Sequence, residues 1–257
     1  MASVYTVAQV TSYISHLFEE DFALKRISIQ GEISNCRKHS GGHLYFTLKD
    51  ETSTLSCVMF ASNRAKQTIP APAQFLEQFI MPMYIQNTNK YYPDVEELAE
   101  DIANGYKKVI RDLYDAGCRN LQLDDCSWGM CVDPHAAAIF GTDEAGLQKI
   151  MEQLLAINNR AIEGAPEDLV INTHVCRGNF HSTYASSGAS DRVAETLFAR
   201  ENVSAYYLEF DDARSGGFEP LKSVNGDKKV VLGLITTKSS KLEDKEDVIK
   251  SIRASNT

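Results

Sequence analysis

The chain has 257 residues, of which 43% are apolar and 24% are charged, so its composition is that of a protein with a buried core. Residues 1–67 contain seven Lys and Arg against six Asp and Glu, whereas the remainder contains 19 against 29 and is acidic. The acidic balance argues against non-specific nucleic-acid binding by the larger part, since phosphate contact needs clustered cations. The first part is neutral enough to allow such binding.

The cysteines and the apolar runs indicate where the protein resides. No run approaches the roughly 18 apolar residues of a membrane span, and the N-terminus lacks the apolar core of a signal peptide. The six cysteines lack the spacing of a disulfide framework. We therefore expect a reduced, cytoplasmic protein without membrane association. The spacing of Cys126 and Cys131 is a weak metal signal, and all cysteines except Cys176 are predicted to be small buried thiols.

The first part of the chain has the pattern of one helix followed by short strands. A helix is predicted over 7–22, with Thr6 as its N-cap. Three extended runs follow over 26–35, 43–49 and 54–60, separated by turn residues. This pattern predicts a meander of antiparallel strands. The apolar stripe of the helix consists of Val10, Ile14, Phe18 and Phe22.

From residue 68 onward, apolar strands alternate with longer helices. Such alternation predicts parallel βα units joined by right-handed crossovers. We therefore divide the chain into domains 1–67 and 68–257. The predicted strands cover 68–71, 120–124, 169–173, 205–209 and 230–235, and the predicted helices cover 94–116, 144–163, 191–200 and 241–254.

Three side chains of metal-binding type end two neighbouring predicted strands. His174 and Cys176 are two residues apart, so they leave a strand on the same face, and Glu209 ends the next strand. Imidazole, thiolate and carboxylate are all ligands that zinc accepts. Alternatively, His174 and Cys176 are ordinary strand-end residues of a protein that binds no metal. The residues alone leave both interpretations open.

Asp124 and Trp128 lie where barrel enzymes keep their chemistry, at and just after the end of a strand. Asp124 could neutralise a substrate ammonium group, or it could cap a loop or helix. Trp128, the only tryptophan, could stack on a ring of the substrate or cover the mouth of a barrel. We prefer the covering role for Trp128.

Cations and aromatic rings interleave in the predicted meander, at Arg37, Lys38, His43, Tyr45 and Lys49. Proteins that bind single-stranded DNA use this mixture, with rings for base stacking and cations for phosphates. The other interpretation is that the tyrosine packs within the sheet and the cations form a solvated face. We prefer this second interpretation.

Four motifs of the first part occur in the order of a known domain. On these residues, 4–65 resembles the N-terminal OB-fold domain of the exonuclease VII large subunit. The resemblance implies binding of single-stranded DNA, although only about three of the five OB strands are present. The motifs are Tyr5-Thr6-Val7, Gly31–Asn35, Ser40–Asp50 and Cys57–Phe60.

The second part carries its own set of motifs. On these residues, 68–250 resembles the catalytic (β/α)8 barrel of cobalamin-independent methionine synthase, in particular its short single-domain relatives. The resemblance implies that His174, Cys176 and Glu209 are zinc ligands and that Asp124 holds the amino group of homocysteine. The motifs are Tyr92-Pro93-Asp94, Ala116–Asp125, Ile171–Asn179, Tyr207–Gly216, Phe218–Val224 and Val231–Leu234.

The resemblance implies a zinc-dependent methyltransferase that moves a methyl group from 5-methyltetrahydrofolate or a similar donor to the thiolate of homocysteine. The fourth ligand of the family, a cysteine on the last barrel strand, would follow Thr257. We therefore expect an α/β fold, with a partial OB-like segment before an incomplete (β/α)8 TIM-type barrel, and weakened or absent activity. Open strand edges predict self-association.

Two other functions stay open: a single-stranded DNA-binding module of the exonuclease VII type, and a non-functional chimera. Whether the chain is an enzyme is therefore not decided by its sequence.

Overall fold

The computed structural model describes residues 4–21 and 29–255 and divides the chain into two units, Met1–Ala61 and Ser62–Thr257. The predicted domain boundary at residue 67 falls within the first strand of the second unit. Among the described residues, none of the helices combines the length and the apolar character that a membrane span requires.

The first unit contains a helix and a three-stranded antiparallel sheet, as predicted. The helix begins with a capping box, in which the Thr6 hydroxyl accepts from the Gln9 N–H and the Gln9 side chain accepts from the Thr6 N–H. Phe22 and residues 26–28, which the predicted elements included, lie outside the described residues. The elements are α1 (Val7–Glu20), β1 (Glu32–Lys38), β2 (Leu44–Lys49) and β3 (Thr54–Met59).

The antiparallel sheet has one polar and one apolar face, because side chains alternate along each strand. None of the residues of the first unit whose burial the structure describes is buried. The apolar face is therefore only partly shielded from water. Residues in register show the contrast: Ser34, Thr47 and Ser56 lie on the polar face, and Ile33, Leu48 and Leu55 lie on the apolar face.

The second unit is built on five parallel strands that follow each other in sequence order across the sheet. The predicted α/β architecture with a parallel sheet is confirmed. Within the described residues, the first and last of these strands form the edges of the sheet. The strands are β4 (Lys66–Pro70), β5 (Asn120–Asp124), β6 (Val170–Val175), β7 (Ala205–Glu209) and β8 (Lys229–Gly233).

Helices join the parallel strands, and the longest begin at aspartate caps. Asp94 accepts from the Glu96 N–H, and Asp143 accepts from the Gly146 N–H. The predicted helix over 191–200 is a short α-turn that continues as a π-helix, Ala194–Phe198. The α-helices are α2 (Ala61–Ala65), α3 (Pro72–Ile80), α4 (Ile85–Thr88), α5 (Val95–Asp115), α6 (Ser127–Cys131), α7 (Ala136–Ile139), α8 (Glu144–Ile162), α9 (Asp191–Val193) and α10 (Lys245–Ala254). Two 3-10 turns cover Ala213–Ser215 and Glu219–Ser223.

The parallel sheet buries one of its faces. In β5, Leu121 and Leu123 are fully buried in the main core, whereas the alternate residues Asn120, Gln122 and Asp124 are half-buried. Towards the carboxyl ends of the neighbouring strands, His174 and Glu209 are likewise half-buried, whereas Val175 and Leu208 are buried. The second face therefore carries polar side chains, and its carboxyl end holds the predicted site residues. The core side chains that α8 contributes include Leu147, Met151, Leu154 and Leu155.

Candidate functional site

The register of the parallel strands aligns the predicted site residues in two rows. Asp124 at the end of β5 lies opposite His174 of β6. When the register is continued past the ends of these strands, Cys176 lies opposite Cys126 on the β5 side and opposite Glu209 on the β7 side. Because side chains alternate between the faces of a strand, the register directs both rows to the same face.

A cavity of about 310 Å³ lies at this carboxyl end of the sheet. Its walls include His174, Cys176 and Glu209, together with Lys238 from the segment that follows β8. The structure therefore brings the three predicted zinc ligands to a single cavity.

Cys176 is in contact with a second thiol. Its Sγ lies 3.0 Å from the Sγ of Cys126, and both cysteines are free. The His174 ring is anchored on its other side, because Nδ1 lies 3.1 Å from the carbonyl oxygen of Tyr207 and donates to it. The second ring nitrogen of His174 is left for Cys176, which is the usual orientation of a histidine that serves as a ligand.

The contact between the two thiols shifts their pKa values in opposite directions. The hydrogen bond from Cys126 lowers the pKa of the Cys176 thiol; burial opposes this effect, and His174 and the Gly178 N–H support it. The same hydrogen bond, together with burial, raises the pKa of Cys126. The hydrogen bond with Cys176 raises the pKa of His174, although burial acts in the opposite direction. Cys176 is therefore the more acidic thiol of the pair.

Glu209 is held by two cations. Its Oε1 accepts from Arg214 Nη2 at 2.9 Å and from Lys238 Nζ, and its Oε2 accepts from the Arg177 N–H at 3.0 Å. Burial alone would raise the pKa of Glu209, but these hydrogen bonds outweigh it and lower the pKa to about 2. Asp211 pairs with the same two cations, so the carboxylates and cations form one largely buried network.

The three predicted ligands share a cavity without forming a metal site. Among residues 4–21 and 29–255, no group of three or more His, Cys, Asp or Glu side chains could hold a metal ion. The sulfur of Cys176 is in contact with Cys126, and both oxygens of Glu209 are taken by cations and backbone. In this conformation, His174, Cys176 and Glu209 therefore do not fit a zinc ion.

Asp124 and Trp128 have different environments. Asp124 is half-buried and accepts from Gln122 Nε2 at 2.9 Å, on the face that carries His174. Trp128 lies in α6 and is 0% exposed. Its contact with a substrate stays a prediction, and the burial agrees with the covering role.

Three of the predicted nucleic-acid residues share the polar face of the antiparallel sheet. Arg37 lies opposite Tyr45 across β1 and β2, and both are exposed. Lys49 follows Tyr45 on this face at the other end of β2, where it pairs with Glu32 at 3.1 Å.

The other two predicted nucleic-acid residues point elsewhere. Lys38 lies opposite Leu44 and therefore belongs to the apolar face. The His43 ring packs edge-on against Phe60, with centroids 5.4 Å apart, and its Nδ1 accepts from the Ala61 N–H at 3.0 Å.

Cys126 and Lys238 are the site residues that the sequence pattern misses. The pattern places Cys126 among the buried thiols, whereas the structure leaves it half-buried beside Cys176. A signal exists, because Cys126 follows Asp124 at the spacing at which Cys176 follows His174, and the two strands are neighbours. Lys238 has no comparable signal in the sequence, because its contact with Glu209 depends on the path that the chain takes after β8.

The first part of the chain is similar to nucleic-acid-binding domains. The family model of an OB-fold nucleic acid binding domain matches residues 5–78. Over 64 residues, the chain is 53% identical to the exodeoxyribonuclease 7 large subunit of Lachnoclostridium phytofermentans, which covers 25% of this chain and 16% of that protein.

The larger part of the chain is similar to a different group of proteins. It is 43% identical over 192 residues to the uncharacterized protein YxjH of Bacillus subtilis, which covers 73% of this chain and 48% of that protein. The structure of a putative vitamin-B12 independent methionine synthase from Listeria monocytogenes is 37% identical, with a TM-score of 0.54. That match covers 73% of this chain and 51% of the other. The chain spans about half the length of these relatives.

The predicted resemblances are confirmed. Residues 4–65 resemble the OB-fold domain of the exonuclease VII large subunit, and residues 68–250 resemble cobalamin-independent methionine synthase.

Proposed function

We propose that the second unit is an incomplete (β/α)8 barrel of the methionine-synthase type, for methyl transfer from 5-methyltetrahydrofolate or a similar donor to homocysteine. The observation that carries this proposal is the placement of Asp124, His174, Cys176 and Glu209 on one face of three adjacent parallel strands, at their carboxyl ends. Barrel enzymes keep their active sites at this end. Five parallel strands in sequence order agree with five consecutive barrel strands.

In this chain the transferase is weakened or inactive. Zinc, the metal that the resemblance implies, needs its donors assembled around one point. Here the Glu209 carboxylate accepts hydrogen bonds from Arg214 and Lys238 instead, and the Cys176 sulfur is in contact with Cys126. Glu209 would have to leave two cations before it could bind a metal.

Turnover with a bound metal would require Glu209 to leave its two cations, whereas binding of an amino-acid thiol does not. The Asp124 carboxylate lies beside His174 at the end of the sheet and can accept from a substrate ammonium group. A charge-assisted hydrogen bond of this kind contributes about 1.5–3 kcal/mol, or roughly 10- to 100-fold in affinity.

Calorimetric titration of the full chain with homocysteine tests the proposal. We expect the Asp124→Asn variant to bind roughly 10-fold or more weakly than the wild type, while the exposed-site control Asp227→Asn binds unchanged. The analogue in which a hydroxyl replaces the amino group should bind wild type and Asp124→Asn equally. Failure of the wild type to bind homocysteine would contradict the reaction class.

The proposed loss of activity is tested by a transfer assay. The assay follows a labelled methyl group from 5-methyltetrahydrofolate to homocysteine, with zinc supplied. We expect weak or no transfer. Transfer at the rate of an intact methionine synthase would show that the donors assemble in solution and would contradict the proposed loss of activity.

Single-stranded DNA binding by the first unit is the second candidate function. It is favoured by Arg37 and Tyr45, which lie side by side and exposed on the polar face of the OB-like sheet. The anisotropy of a labelled oligothymidine should rise with protein concentration at low salt and fall as salt is added. Tyr45→Ala should weaken binding roughly 10-fold, and the control Lys250→Ala, in the second unit, should not.

Absence of oligonucleotide binding at low salt would remove this candidate. Absence of both homocysteine and oligonucleotide binding would favour a non-functional chimera.

A further inference from the structure

Cys126 and Cys176 are placed for bond formation by the backbone. They continue the register of two neighbouring parallel strands, in which Asp124 lies opposite His174. Neighbouring strands lie about 4.8 Å apart, which falls within the Cα separation of roughly 4.4–6.8 Å found in disulfides. The sulfur atoms are 3.0 Å apart, so bond formation requires them to approach by only about 1 Å.

The two segments that carry these cysteines are also packed closely together. The Asp125 N–H donates to the carbonyl of His174 at 2.8 Å. Gly129 of α6 lies against the backbone of Cys176, so closely that a Cβ atom on this glycine would stand 2.1 Å from the Cys176 carbonyl oxygen. The backbone therefore holds the two cysteine-bearing segments together, and the side chains then place the sulfur atoms 3.0 Å apart.

We propose that Cys126 and Cys176 form an oxidation site at which a low-molecular-weight disulfide, such as oxidised glutathione, introduces an intramolecular disulfide bond. The Cys176 thiol gives its proton to solvent and attacks one sulfur of the oxidant, which forms a mixed disulfide and releases one thiolate. The Cys126 thiol then gives its proton to solvent and attacks the Cys176 sulfur, which expels the second thiolate. The cysteine pair loses two electrons and two protons, and the oxidant is reduced to two thiols.

Oxidation at this site converts the Cys176 thiol, which lines the cavity together with His174 and Glu209, into a disulfide. That consequence for activity rests on the proposed function, whereas formation of the bond does not. The bond is therefore tested without substrate or metal.

The experiment uses the full chain, reduced and then exposed to oxidised glutathione in the presence of a chelator. Remaining thiols are alkylated, and the digest is mapped by mass spectrometry. We expect a peptide pair joined through Cys126 and Cys176, no glutathione on either residue, and a fall from six free thiols to four per chain.

Two variants complete the test. In Cys126→Ser the resolving thiol is missing, so Cys176 should keep a glutathione adduct that a reductant removes. In Cys57→Ser, a change in the first unit, the joined peptide should form as in the wild type. The map of the wild-type protein is decisive even if Cys126→Ser folds poorly.

A stable glutathione adduct on Cys176 of the wild type, or no oxidation of either cysteine, would overturn the proposal. A joined peptide in a protein that does not bind homocysteine when reduced would sustain the oxidation site and contradict the proposed function alone.

Discussion

Asn158 of α8 connects two buried carboxyl groups to the start of α3. Its Oδ1 accepts from the Ala73 N–H at 2.9 Å, and its Nδ2 donates to Asp125 at 2.7 Å and to Glu201 at 2.9 Å. All three side chains, Asn158, Asp125 and Glu201, are 0% exposed. A single amide therefore provides hydrogen bonds for three polar groups that water does not reach.

The carboxyl groups around Asn158 retain protons more strongly than exposed carboxyls do. Burial raises the pKa of Glu201 to about 8, and the charge of Asp125 adds to this effect while Lys228 opposes it. Burial likewise raises the pKa of Glu77 to about 7. Both pKa values are higher than those of carboxyls in an unfolded chain, so the folded state binds more protons near neutral pH.

Replacement of Glu201 by glutamine should reduce the pH dependence of stability. In the wild type, the contribution of Glu201 to the free energy of unfolding should be largest below about pH 4.5. This contribution should fall by a few kcal/mol as the pH rises towards 8. Glutamine has no proton to lose, so Glu201→Gln should show a shallower fall and greater stability than the wild type at pH 8. Urea unfolding between pH 5 and 8.5 measures both.

The control for this prediction is Glu163→Gln, which changes an exposed carboxyl. It should follow the wild-type pH dependence. An equally steep loss of stability in Glu201→Gln and the wild type would show that Glu201 is ionised in the folded state at neutral pH.

The identity of the site residues follows from the sequence, but their pairing does not. The ends of the apolar strands place Asp124, His174 and Cys176 at one edge of a sheet, because parallel strands share their direction. The partner of Glu209 depends on the path of the segment that brings in Lys238, and no periodicity encodes that path. For this reason the ligand types could be predicted and the absence of an assembled metal site could not.

Elements with several apolar repeats are the ones that the sequence predicts well. Strands β5 and β7 have the predicted bounds, α5 is one residue shorter than predicted at each end, and α8 is one residue shorter at its C-terminal end. The nine-residue helix α3 is missed, because it offers too few turns for a periodic signal. The π-helix Ala194–Phe198 is missed as well, since five residues cannot distinguish a period of 3.6 from a slightly longer one.

Two glycines in helices should respond in opposite ways to the same substitution. Gly105 lies in α5 with nothing within 4 Å of an added Cβ, so Gly105→Ala should raise the free energy of unfolding by about 0.5–1 kcal/mol. Gly129 of α6 lies against the Cys176 carbonyl, so Gly129→Ala should lower it by about 1–3 kcal/mol. Urea unfolding of both variants checks the prediction, and stabilisation by Gly129→Ala would mean that α6 does not lie against β6 as described.

The two units of the molecule differ most in how much they bury. The second unit has one continuous core of aliphatic and aromatic side chains between its sheet and its helices. The first unit has the alternating pattern of a half-buried sheet, yet Ile33 is 60% exposed and Leu55 is 48% exposed. Strand alternation identifies the face that can be buried, but whether a layer covers that face depends on contacts that local sequence does not specify.

Amide hydrogen exchange should reveal this difference between two strands with equivalent hydrogen bonding. Strand β2 is central in the antiparallel sheet and β6 lies between two neighbours in the parallel sheet, so the backbone groups of both are paired on each side. Exchange from paired amides requires opening, and opening is easier where few apolar contacts are lost. We expect amides of β2 to exchange at least roughly 100-fold faster than those of β6, a gap of about 2.7 kcal/mol in opening free energy. Equal protection of the two strands would mean that the apolar face of the first unit is covered in solution.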